Sequence, residues 1–276
     1  MKEALRNYFD KAKIEYFSVL DYSLCMEINP RLSARSGFRA KSAIIYLIPY
    51  YTGECENISR YAASLDYHLV ISEINKGLIE LLRERFPDCR AASYGDHSPI
   101  DERAAVLSAG LGILGDNGLV INEKYGSYVF IGDVLTDIPP EALFASSPKA
   151  VVRCESCGAC KRACPTAILS GEGRDCLSAI TQRKGVHTEE EIVLMRKHRT
   201  VWGCDLCQIV CPHNRAPIKT PVPFFYEGRI DRLTRELLDS MDDMEFSRRA
   251  FAWRGRGVVE RNISYFEDFG KENENA

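Results

Sequence analysis

Apolar residues in the first half of the chain follow two different spacings, one suited to helices and one to strands. Over residues 1–13, Leu5, Tyr8 and Phe9 share one side of an amphipathic helix. From Lys41 the run KSAIIYLIPYY is apolar, β-branched and aromatic, which predicts a buried strand. Residues 58–86 predict one or two helices, and in the later part Ile71, Ile74, Leu78, Leu81 and Leu82 recur near the helical period. Residues 118–137 predict two strands around a turn near Tyr125 and Gly126. Prolines between Asp137 and Pro148 mark a linker. Further on, Thr188 as N-cap and Glu191 three residues later form a capping box at the head of a helix. Pro217, Pro221 and Pro223 break the chain, residues 229–264 return to helical spacing, and KENENA reads as a frayed tail. No internal repeat stands out beyond the cysteine segment.

Composition narrows the class. The chain has 276 residues, 45% of them apolar, enough to bury a real core. A net charge of −3 argues against a generally basic nucleic-acid binder but leaves room for a local basic patch. No apolar signal core opens the chain, and no apolar run approaches the length of a membrane span. Of the 11 cysteines, most cluster between positions 154 and 211 at metal-ligand spacing, which favours metal over scattered disulfides and fits a reducing cytoplasm.

The cysteines carry the strongest chemical signal. Cys154, Cys157, Cys160 and Cys164, followed by Pro165, form a C-x2-C-x2-C-x3-C-P run. A second group is Cys204, Cys207 and Cys211, followed by Pro212, with Cys176 between the two. Together they supply the thiolates of two 4Fe-4S clusters. In two-cluster ferredoxins the last cysteine of a run ligates the neighbouring cluster. Cys154, Cys157, Cys160 and Cys211 are therefore assigned to one cluster, and Cys164, Cys176, Cys204 and Cys207 to the other. Zinc, which favours paired knuckles of two cysteines, fits the first run poorly. Cys25, Cys55 and Cys89 lack such spacing and read as small buried hydrophobes.

Three stretches ahead of the cysteines carry more than core residues: RYAASLDYH from Arg60, DHSPIDER from Asp96 and AGLGILG from Ala109. With YVFIGDVLTD from Tyr128 and GCDLCQIVCPHN from Gly203, they resemble the epoxyqueuosine reductase family over roughly residues 30–265. That resemblance implies an α+β fold: a nitroreductase-like corrinoid-binding domain (1–148), a ferredoxin-like double-cluster module (149–225) and C-terminal helices (226–276). It also implies an activity. Electrons from an external donor such as flavodoxin or ferredoxin pass through two 4Fe-4S clusters to cobalamin, and epoxyqueuosine in tRNA is reduced to queuosine.

Asp96 matches the family's proposed proton donor. Donation near neutral pH requires a raised carboxyl pKa, which burial over an apolar corrin face would supply. The competing role for Asp96 is to cap a helix beginning near Pro99. Glu102 and Arg103 read as a structural ion pair. Cobalamin contacts implied by the resemblance are Ser59, Asp96, Val120, Ile131, Val134 and Asp205, the apolar ones reading equally as core. Tyr67 and His68 could line the same pocket, with His68 read as a core histidine in preference to a cobalt ligand.

The chain also departs from the family. Ile113 and Asp116 stand where many members carry Trp and Lys, and His213 where Trp is usual. The helical-repeat domain that grips tRNA in full-length members is expected to be missing after Ala276. Replacement cations would be Arg183 and Lys184, the run Arg196-Lys197-His198-Arg199, or Arg254 and Arg256, although each fits a solvated charged face as well. Three alternatives stay open: a corrinoid reductase of a small molecule, a ferredoxin-like carrier whose first half docks a partner, and a flavin in the N-terminal pocket.

Overall fold

The computed structural model describes residues 1–273. Its backbone groups into two interleaved units, not the three consecutive stretches expected from the sequence. Unit 1 comprises Met1–Tyr50, Tyr67–Ser156 and Ala216–Val222, and unit 2 comprises Tyr51–Asp66, Cys157–Arg215 and the chain from Pro223 onward. Among the described residues no helix is long and apolar enough to cross a membrane.

Unit 1 runs α1 (Lys2–Lys11), β1 (Tyr16–Asp21), α2 (Pro30–Arg35), β2 (Ser42–Pro49), α3 (Tyr67–Arg85), β3 (Ala91–Tyr94), α4 (Glu102–Ser108), β4 (Ile113–Leu114), β5 (Val120–Ile121) and β6 (Val129–Thr136). The main sheet has the order β1-β2-β6-β3, all neighbours antiparallel. The two strands expected in residues 118–137 both form, but they do not pair with each other. β5 pairs with β4, while β6 lies between β2 and β3. The helix expected to start near Ile58 starts only at Tyr67, after a single 3-10 turn over Arg60–Ala62.

Strand parity decides what each face of the sheet touches. Ala43, Ile45 and Leu47 of β2 lie opposite Leu135, Asp133 and Ile131 of β6. That face packs on α4 through Ala105 and Val106, and on Ala109 at the end of that helix. The other face carries Tyr46, whose ring meets Phe9 of α1 at 5.2 Å between centroids. The Tyr46 hydroxyl donates to Asn75 Oδ1 of α3 (2.7 Å), and Asn75 Nδ2 donates in turn to the carbonyls of Tyr94 (2.9 Å) and Asp133 (3.2 Å). Gly132, the register partner of Tyr46, makes this possible: a Cβ there would lie 2.5 Å from Tyr46 Cζ and Oη.

Unit 2 carries α5 (Ala159–Ala163), α6 (Leu177–Gln182), α7 (Glu189–Lys197), α8 (Leu206–Ile209), α9 (Arg235–Ser240), α10 (Asp243–Ser247) and α11 (Arg256–Asn273). The expected capping box is present: Thr188 Oγ1 accepts from Glu191 N–H (3.3 Å), and Thr188 N–H donates to Glu191 Oε2 (2.9 Å). The core gathers around Trp202, Phe251, Leu238 and Val259. Asn262 of α11 is fully buried and donates through Nδ2 to the carbonyls of Thr181 (2.7 Å) and Val201 (2.8 Å), tying the last helix to α6. Of the stretch read as a frayed tail, residues 271–273 close α11 and residues 274–276 lie outside the described residues.

Replacing Gly132 with Ala forces Tyr46 or β6 to move, and overpacking of this kind costs about 1–3 kcal/mol. Gly257→Ala, in α11 with no atom within 4 Å of the new Cβ, should instead stabilise by roughly 0.5–1 kcal/mol. Chemical denaturation of the two variants checks the opposite signs.

Candidate functional site

Asp96 sits on the loop between β3 and α4 with φ +64, a left-handed conformation that Asp tolerates better than most side chains. It is exposed and does not cap the next helix. α4 begins at Glu102, and its N-cap is Asp101, whose Oδ1 accepts from Ala104 N–H (3.0 Å). Asp96 instead accepts at Oδ2 from the Tyr67 hydroxyl (2.9 Å). The Tyr67 ring is held flat on Phe130, at 4.0 Å between centroids and 13° between planes. Asp96, Tyr67, Val120, Phe130 and Ile131 line one cavity of about 470 Å³, within the usual range of roughly 300–1,000 Å³ for small-molecule sites.

Glu102 lines the same cavity, and its expected ion pair with Arg103 is not formed. Arg103 Nη1 donates to the Gly118 carbonyl (3.1 Å). Glu102 accepts at Oε1 from Asp96 N–H (3.2 Å) and hydrogen-bonds through its carboxyl group to Asp133. Asp133 is fully buried on β6 and accepts at Oδ2 from Ser98 Oγ (3.0 Å). Burial raises the pKa of Glu102, with the Asp133 and Asp96 carboxyls adding to it. Burial also raises that of Asp133, against the hydrogen bonds from Glu102 and Ser98. At this cavity the enclosed carboxyls are therefore the fully buried Asp133 and the half-buried Glu102, while Asp96 is exposed. An acidic residue inside an otherwise apolar strand was the sequence signal for Asp133.

The other expected contacts divide. Val134 is fully buried, opposite Ile44 on the sheet face turned away from Ile131, and is not among the residues lining the cavity. His68 is not a core residue: it is exposed and stacks on Tyr67 with 4.2 Å between centroids. Ser59 and Asp205 belong to unit 2 and hydrogen-bond each other. Asp205 Oδ2 also accepts from the Arg60 backbone N–H (2.7 Å) and Nη1 (3.1 Å), and Oδ1 from Gln208 Nε2 (3.3 Å). Four donors saturate this carboxylate, giving Asp205 a structural task. Gly203 shares it, since at φ +77 a side chain is strained and a Cβ would lie 2.4 Å from Ser59 Cβ.

The cysteines suit thiolate ligation. α5 and α8, which carry Cys160 and Cys207, pack on each other. Burial pushes the Cys204 thiol up to about 11, and the neighbouring Cys176 and Cys164 thiols add to this, which brings three of the ligands expected around one cluster into proximity. Burial opposes ionisation of Cys164 as well, yet the N–H groups of Leu169, Thr166 and Ile168 and the Thr166 hydroxyl hold its pKa below the ordinary thiol value. Amides aimed at sulfur are a suitable environment for a cluster ligand. In unit 1, Asp116 N–H donates to Cys154 Sγ (3.3 Å). Cys25, Cys55 and Cys89 are half-buried, less enclosed than expected.

Comparison with known proteins agrees with this chemistry. Residues 153–214, which include all eight clustered cysteines, match the family model of a 4Fe-4S double cluster binding domain. An epoxyqueuosine reductase of Listeria monocytogenes is 36% identical over 74% of this chain and 55% of its own length. One from Gloeobacter violaceus is 34% identical over 75% of this chain and 69% of its own. The chain belongs to the epoxyqueuosine reductase family. A crystal structure of an epoxyqueuosine reductase with an epoxyqueuosine-modified tRNA-Tyr stem loop has the same fold, with a TM-score of 0.77 at 24% identity, covering 96% of this chain and 80% of that one. The chain thus spans only about half the length of the Listeria epoxyqueuosine reductase.

Several basic residues singled out against that family pattern are engaged internally. Arg183 pairs with Glu191 (2.5 Å), Arg196 Nε donates to the Tyr265 carbonyl (2.7 Å), and Arg256 donates to the carbonyls of Leu238 (2.6 Å) and Met241 (2.8 Å). Lys184, Lys197 and Arg199 are exposed.

Asp205→Ala removes the buried partner of Arg60 and leaves it the exposed Glu54, which should cost toward the lower end of about 3–5 kcal/mol, read as a lowered denaturation midpoint. The acid pair gives a prediction of opposite pH sense to most carboxylates. Both folded pKa values lie above the ordinary 4.5 and 3.8, so the folded chain binds more protons than the unfolded one. The pair's contribution to stability is complete below those ordinary values and is lost as pH rises through the raised ones. Denaturation midpoints measured from pH 5 upward should fall less steeply in Glu102→Gln than in the unsubstituted chain.

Proposed function

We propose that the chain is a corrinoid-dependent reductase that converts epoxyqueuosine in tRNA to queuosine in the cytoplasm, using electrons from a flavodoxin or ferredoxin type of donor. The observation that carries this reading is the cavity of unit 1. There Asp96, held by Tyr67, faces the apolar wall of Val120 and Ile131 in a member of a family named for this reaction. A tRNA substrate draws support from the related reductase bound to a modified stem loop, and from the exposed cations Lys184, Lys197 and Arg199. The clustering of eight cysteines at metal-ligand spacing supports a reducing compartment. We read unit 1 as the corrinoid-binding half, akin to nitroreductase-like folds, and the eight clustered cysteines as the cluster ligands, with Cys164, Cys176, Cys204 and Cys207 as one set.

When bound, cobalamin would supply reducing chemistry at the epoxide carbon, and the 4Fe-4S clusters would deliver electrons to it singly. The chain's own residues handle protons and solvent. Asp96 protonates the epoxide oxygen as its C–O bond opens, and Tyr67 fixes the carboxyl so that Oδ1 remains for the substrate. Val120 and Ile131 shed water from the reacting face. Two electrons and two protons convert the epoxide into alkene and water.

Anaerobic reconstitution with iron, sulfide and cobalamin should give about eight iron per chain, as two four-iron clusters require, together with retained corrinoid. With a chemical reductant, tRNA carrying epoxyqueuosine should then yield queuosine. Asp96→Asn should keep iron and corrinoid yet lose about 10²- to 10⁴-fold in turnover, the usual worth of a positioned acid. Full turnover in that variant contradicts the role of Asp96. Retained corrinoid with unchanged tRNA points to a small-molecule substrate.

A further inference from the structure

Epoxide reduction consumes two protons, and Asp96 carries one. The residues beneath it answer for the second. Asp133 is fully buried, and no Lys or Arg pairs with it among the described residues. Its Oδ2 takes the Ser98 hydroxyl, but its Oδ1, equally buried, meets no N–H or O–H donor if both carboxyls are ionised. A proton on Glu102 supplies the missing donor, because the two carboxyls touch. The other titratable groups facing Asp133 are Cys25, Tyr46 and Tyr94, which carry no positive charge. Burial and Asp133 push the Cys25 thiol up to about 12, so it stays neutral beside the acid.

The geometry points to Glu102 and Asp133 as a store of one shared proton that recharges Asp96 in each turnover. This rests on the reading of Asp96 as the proton donor. Glu102 acts through Asp96 in two ways. It fixes the backbone of the strained Asp96 loop by accepting its N–H (3.2 Å). It also shares the cavity with the Asp96 carboxyl, so its proton reaches Asp96 through water or the departing hydroxyl oxygen. The balance is complete. Asp96 gives the first proton to the epoxide oxygen and is reloaded from Glu102, and the second proton leaves with that oxygen as water. The external one-electron donor supplies both electrons. Asp133 is left briefly beside an ionised Glu102, a like-charge state that favours prompt reprotonation from solvent through the open cavity.

Glu102→Gln separates the two tasks, because its amide still donates to Asp133 but holds no transferable proton. The holoenzyme should bind tRNA with unchanged KM. Every turnover, the first included, then lacks the second proton, so single-turnover and steady-state rates should both fall at least 10-fold. The alkaline limb of the kcat profile should move to lower pH. Asp133→Asn, which leaves Glu102 without its acidic partner, should shift that limb in the same direction. Normal steady-state turnover and an unmoved alkaline limb in Glu102→Gln overturn the proton store while leaving Asp96 intact as donor. Full activity in Asp96→Asn instead overturns the reading on which the store rests. Slowed turnover with an unmoved alkaline limb shows that Glu102 only holds the loop, and this also contradicts the store.

Discussion

A carboxyl group on a central strand, sealed from water and without a cation, must keep a proton nearby or destabilise the sheet. Asp133 is in that position on β6, the strand between β2 and β3. Ionising such a group without compensation costs several kcal/mol. The fold answers with a second acid, Glu102, from the first turn of α4. Once Glu102 is turned inward to Asp133, its other contact fixes the Asp96 backbone, and Asp96 then meets Tyr67. The loop that carries Asp96 is in this way set by a hydrogen bond in the interior.

Unit 2 meets the same problem in the opposite way. Asp205 is nearly as buried, but Arg60 and the donors of Ser59 and Gln208 surround it. These contacts fix the segment ahead of the cysteine-bearing α8. A pair of that kind contributes less to net stability than to holding one arrangement, since desolvation offsets much of its Coulomb energy. One buried carboxylate is thus met with cationic and neutral donors and serves structure. The other is met with a second carboxyl and no cation, next to the loop of Asp96.

How much of this could be read along the chain depended on how local the chemistry is. Cluster ligands sit in short runs, so the double-cluster segment was legible from spacing, as was the capping box at Thr188. The motif around Asp96 pointed to a residue that lines the cavity, although its expected burial was not found. Pairing was less legible: β6 joins β2 and β3, far from it in sequence, and not β5 beside it. Face assignment failed for the same reason. Ile131 and Val134 look equivalent in an apolar strand, but an odd separation puts them on opposite faces, and only Ile131 reaches the cavity. The amphipathic Tyr16–Asp21 strand passed unnoticed because only its middle is buried. Counting cations could not show that Arg183, Arg196 and Arg256 are spent on internal partners.

The measurement closest to the centre of this account is infrared spectroscopy of the carboxyl groups in the folded chain near pH 8. A protonated carboxyl should remain there in Asp96→Asn, and its band should disappear when Glu102→Gln is added to that variant. A spectrum in which every carboxyl is ionised at that pH would contradict the shared proton beneath Asp96.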